Sequence, residues 1–105
     1  MPKVVSPPLP VEVMRSVEAF GSPTRVAAMR HLLAHGPMTS PQLARELGMT
    51  TSMMANHLTA LEELGAVTVD PPRSEPDRKP RRYAVERANV DAMLRALSMS
   101  LTGTL

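Results

Sequence analysis

Apolar residues recur along this chain at intervals of three and four over most of its length, and at intervals of two in only two short places. The first spacing marks one face of an α-helix and the second a half-buried strand. Val11, Met14, Val17 and Phe20 predict a first helix over Val11–Phe20. Ser22-Pro23 then offers an N-cap and a proline in the first turn, where a missing N–H costs nothing. A second helix is predicted over 23–34, with Val26, Met29, Leu32 and Leu33 as its buried stripe, and Gly36-Pro37 ends it.

Two helix starts of the same design come next. Thr39 and Gln42 have the spacing of a capping box, and Met38 and Leu43 stand where a hydrophobic staple would close over it. Thr50 repeats the cap, and Met49 with Met54 repeats the staple. A short third helix therefore ends near Leu47-Gly48. A fourth runs over 51–64, with Met54, Leu58, Leu61 and Leu64 on one face, and stops at Gly65. Val67 and Val69 alternate with polar neighbours over 66–70, and a second strand is predicted at 82–85. Pro71, Pro72, Pro76 and Pro80 exclude a helix from the loop between them. The last helix, over 87–101, carries Val90, Met93, Leu94, Leu97 and Leu101, a face widened by Ala92, Ala96 and Met99.

Two short capped helices joined by a glycine turn, the second exposing small polar side chains, form the layout of a helix-turn-helix. Two strands around a basic loop directly after it make a wing. The predicted fold class is mainly α (α+β), a winged helix-turn-helix of about five helices with a two-stranded hairpin. At 105 residues the chain is one domain. The expected division is a flexible arm at 1–10 holding four prolines, a DNA-binding and dimerisation domain at 11–101, and a tail at 102–105.

Such a domain reads double-stranded DNA through its second helix. Thr51, Ser52, Ala55 and Asn56 lie opposite Met54, Leu58 and Leu61, and Asn56 has the amide that pairs with adenine N6 and N7. Thr39, Ser40 and Thr50 at the helix starts, and His57 and Thr59 along the helix, complete the expected DNA-binding set. This helix has no Lys or Arg, so attraction to phosphate must come from the wing. The net charge of +2 gains meaning once located. Arg73, Arg78, Lys79, Arg81 and Arg82 face only Glu75 and Asp77 within 71–82, a net of +3, while seven basic and eight acidic residues elsewhere net −1. Phe20 and Tyr83 are the only aromatic residues, too few for the stacking platforms of single-strand binders.

Other chemistry is poorly supplied. Cysteine is absent, which removes disulfides and thiolate ligands and fits a reducing cytoplasm. His31 and His35 have the i, i+4 spacing of a metal pair, but no third ligand is evident, and His35 near a helix C-terminus has a plain electrostatic role. Nine methionines fall mostly at core or staple positions. Glu62 and Glu63 are adjacent on a helix, do not converge, and have no nucleophile beside them, so an enzyme is not expected. No signal peptide or stretch of ~18 apolar residues is present, and the expectation is a cytoplasmic protein without a membrane partner, cofactor or metal.

Over roughly residues 17–101 the sequence resembles the ArsR/SmtB family of bacterial winged helix-turn-helix repressors. The resemblance rests on Phe20-Gly-Ser-Pro-Thr-Arg25, on Leu43-Ala44, and on Leu47-Gly-Met-Thr-Thr-Ser-Met-Met-Ala-Asn-His-Leu58 followed by Leu61-Glu-Glu-Leu-Gly-Ala-Val67. It implies a homodimer that pairs through its first and last helices and represses transcription until an effector lowers its affinity for DNA. The dimer residues would be Val11, Met14, Val17, Val90, Met93, Leu94, Leu97 and Leu101. The family's thiolate metal site would need cysteines where this chain has Thr39 and Pro41, and its second site would need a histidine beside Asp91. Neither is built, so the effector stays unknown. Two competing expectations are a winged helix that binds protein through its apolar last helix, and a mobile-element or phage repressor that needs no effector.

Overall fold

The computed structural model describes residues 8–75 and 80–104. Its elements, in order, are α1 (Val11–Phe20), α2 (Pro23–His35), β1 (Met38–Thr39), α3 (Ser40–Leu47), α4 (Thr51–Glu63), β2 (Val67–Asp70), β3 (Arg82–Val85) and α5 (Arg87–Leu101). This is the mainly helical winged architecture that the periodicity predicts, with one addition. The sheet has three strands rather than two. Its antiparallel order is β1-β3-β2, with Met38 opposite Tyr83 and Val67 opposite Val85.

The helix ends form as their side chains dictate. The Ser22 hydroxyl accepts the Arg25 N–H and starts α2 behind Pro23. Thr39 and Gln42 close a complete capping box: the Gln42 N–H donates to Thr39 Oγ1 while the Thr39 N–H donates to Gln42 Oε1. α3 stops at Gly48, whose left-handed backbone (φ 69) reverses the chain toward the Thr50 cap of α4.

One core lies under the helix pair and the sheet. It is built from Ala19, Ala28, Met29, Leu32, Leu43, Ala44, Met54, Leu58, Leu61, Ala66, Val67, Tyr83 and Met93. Both staple residues predicted at the fifth position after the leading methionine, Leu43 and Met54, are fully buried. The predicted stripe of α2 is rotated slightly. Ala28 is buried in place of Leu33, which is 45% exposed, because the sheet and α3 meet the Ala28–Met29–Leu32 side of the helix. α1 lies along α5, where Ser16 fills the crossing and its hydroxyl donates to the backbone carbonyls of Glu12 and Met93. A buried hydroxyl needs such partners, and here they tie the first helix to the last.

Most of the proline-rich arm expected at 1–10, and the last residue of the tail, lie outside the described residues. Residues 8–10 are exposed and lead directly into α1.

Candidate nucleic-acid interface

The candidate surface begins with the division of α4 into two faces. Met54, Leu58 and Leu61 are wholly buried against α2, α3 and β2, which fixes the helix about its long axis. The opposite side must then face out. Thr51, Ser52, Met53, Asn56 and Thr59 are exposed, and Ala55 and His57 are half-buried at the flanks. Met53 was not singled out from the sequence. Its 52% exposure follows from a position one residue before the buried Met54, about 100° around the helix.

Thr50 is exposed, and its Oγ1 accepts the Met53 N–H at 3.2 Å. The hydroxyl proton of Thr50 is left to donate outward at the N-terminus of α4, where free N–H groups and the helix dipole favour an anion. Ser40, the first residue of α3, is half-buried. Thr39 is 9% exposed, paired with Arg82 in the sheet and engaged in the capping box, which gives it a structural role.

The wing divides its charges unevenly. Arg82 is exposed on β3, between Thr39 of β1 and Asp70 of β2. Arg81 is half-buried, and its Nη2 donates to the Glu75 carbonyl at 3.1 Å. Arg78 and Lys79 lie outside the described residues. Arg73 is held by α4 and β3. Its Nη2 donates to Glu62 Oε1 at 2.8 Å and to the Tyr83 hydroxyl at 2.9 Å, and its Nε donates to the same carboxylate. The hydrogen bond with Glu62, outweighing the opposing effect of burial, holds Arg73 still more firmly in its charged form. That charge is already answered by Glu62. Arg73 therefore fastens the base of the wing to α4.

The expected dimer residues also separate. Val11 and Val17 on α1 and Leu94 and Leu101 on α5 are exposed, while Met14, Val90 and Leu97 are half-buried. Met93 turns the other way. At 7% exposure it belongs to the core of its own protomer, because one residue of helix carries it away from Leu94 to the α1 side.

His31 and His35 stack with ring centroids 4.3 Å apart, and His31 Nε2 lies 4.0 Å from a Glu46 carboxylate oxygen. Among the described residues, no three His, Asp or Glu side chains converge as a metal site would require. No helix among them is long and apolar enough to cross a membrane.

A capped helix pair whose second member is buried on one face and polar on the other, with a strand hairpin beside it, defines a winged helix-turn-helix. A helix-turn-helix domain family model matches residues 20–70, from the end of α1 to the end of β2. The fold is similar to that of an ArsR-family transcriptional regulator, with a TM-score of 0.68 and 23% identity over 90% of this chain and 92% of that one. It is also similar to a homodimeric winged helix-turn-helix DNA-binding domain from Mycobacterium bovis, with a TM-score of 0.61 and 24% identity over 88% of this chain and 79% of that one. The transcriptional repressor BigR from Xylella fastidiosa gives a TM-score of 0.61 at 19% identity, over 87% and 85% of the two chains. No curated protein sequence matches the chain. Its fold class is the winged helix-turn-helix. Within that class, its fold is the ArsR-family one.

Proposed function

We propose that the chain is a homodimeric repressor that binds an inverted repeat in double-stranded DNA. The observation that carries this reading is the exposed polar ridge of α4, Thr51, Ser52, Asn56 and Thr59, held outward by three fully buried residues on the opposite face. Such a ridge fits the major groove, where Asn56 offers an amide to adenine and Ala55 an apolar edge to a thymine methyl. Thr50 and Ser40, at the N-termini of α4 and α3, are set to hold phosphates on either side of the groove. Arg82 and Arg81, with Arg78 and Lys79 of the same loop, supply the positive charge that α4 lacks.

The dimer reading rests on Val11, Val17, Leu94 and Leu101, large apolar side chains on two adjacent helices that no described residue of the protomer covers. Pairing through that face sets two α4 helices on one side of a duplex. Their half-sites then fall about 10 bp, one helical turn, apart. A regulator of this kind acts in the cytoplasm, with residues 11–101 as its working unit and no catalytic role. The similar structures include a repressor and a homodimer, which supports the same assignment.

Selection of bound sites from random duplexes, followed by the mass of the protein–DNA complex, tests the whole reading. The expected result is a palindrome with two protomers bound. Binding that ignores sequence, even at low salt, overturns it.

A further inference from the structure

One side-chain hydrogen bond ties the flank of α4 to the start of α2. Arg25, in the first turn of α2, donates from Nε to His57 Nδ1 on α4 at 3.2 Å and from Nη1 to the Glu18 carbonyl of α1 at 2.8 Å. A single guanidinium therefore touches three helices. His57 is half-buried, between the exposed Asn56 and the fully buried Leu58, at the edge where the polar ridge of α4 meets the body of the protein.

The chemistry of the pair is asymmetric. A guanidinium Nε can only donate, so Nδ1 must be the acceptor, and the proton of the neutral imidazole then resides on Nε2. Among the described residues, Nε2–H has no hydrogen-bond partner within the protein. A ring of fixed tautomer, held at its inner nitrogen, presents one donor at the rim of the groove that α4 would enter.

We infer that Arg25 is a positioning residue that locks His57 as its Nε2–H tautomer and thereby makes it a donor to one phosphodiester oxygen. Arg25 acts through the imidazole and not by touching DNA itself. The phosphate contact rests on the reading of α4 as the recognition helix, whereas the tautomer can be measured on the free protein.

Nitrogen-15 spectra of the histidine rings in the free, full-length protein come first. His57 Nδ1 is expected to resonate as an unprotonated acceptor and Nε2 as a protonated nitrogen. Arg25→Gln is expected to mix the two tautomers while the helical signal persists. With a selected duplex, His57→Ala weakens binding about tenfold to a hundredfold, the range for one hydrogen bond to a charged acceptor. Arg25→Gln gives a similar loss alone and none in the His57→Ala background. The slope of log affinity against log salt is unchanged by Arg25→Gln, whereas a direct arginine–phosphate contact would lower it by about one. A proton on Nδ1 in the wild-type protein overturns the tautomer, whatever the variants do. Additive losses, or a reduced slope, overturn the positioning role. A protein that shows the Nε2–H tautomer yet selects no duplex overturns the phosphate contact together with the reading of α4.

Discussion

α4 and α5 have similar apolar periodicity and opposite fates. In α4, Met54, Leu58 and Leu61 are all at 0% exposure, so every large residue of its inner stripe is absorbed by its own protomer. α5 is two residues longer, yet it buries only Met93 and leaves Leu94 at 47% and Leu101 at 78% exposure. A helix closed on its inner face can present polar side chains outward with nothing left to satisfy. A helix with apolar surface to spare calls for a cover from outside the protomer. Hydrophobic spacing therefore gives the presence of a face but not the identity of what meets it.

The contrast can be broken most forcefully at Leu58. Leu58→Ala removes a fully enclosed side chain and is expected to destabilise the protein by about 2–5 kcal/mol, read as a lower urea midpoint at unchanged m-value. Leu94→Asp addresses the other helix. It is expected to weaken self-association between about tenfold and a hundredfold by sedimentation, with little loss of helix signal, because burying one such side chain contributes about 1.5–3 kcal/mol. Self-association at wild-type strength would show that α5 is covered by something else. Asn56→Ala sharpens the comparison from the polar side. Thermal stability should stay level while discrimination at a single base pair falls by about 1–3 kcal/mol in competition binding. Thr50→Ala is the gentlest test: loss of the cap is expected to lower stability by about 1 kcal/mol and, with the hydroxyl gone, to weaken all duplexes alike.

Features governed by near neighbours in sequence were the legible ones. The Thr39–Gln42 box, the Thr50 cap, the Gly48 and Gly65 turns and the staples at Leu43 and Met54 are fixed within five residues, and each forms where its spacing predicts. β1 escaped because two residues hold no period. It exists only through Met38 and Thr39 meeting a strand more than forty residues away. Leu33 was misplaced because it lies near the border of a stripe, where a rotation of a helix decides inside from outside. Arg73 counts as a positive charge in composition, and nothing in the sequence reveals that Glu62 and Tyr83 converge on it. The Arg25–His57 bond spans thirty-two residues and is equally silent.

Thr39 serves the sheet and the capping box at once, accepting the first turn of α3 while lying opposite Arg82 on the hairpin. The pitch of the hairpin and the entry angle of the helix pair are consequently coupled through this residue, beside the tie that Arg73 makes between the wing and α4. The molecule grips as a caliper with a welded jaw: a spacer inserted between positions 36 and 39 would unseat both jaws together, and neither could be re-aimed alone.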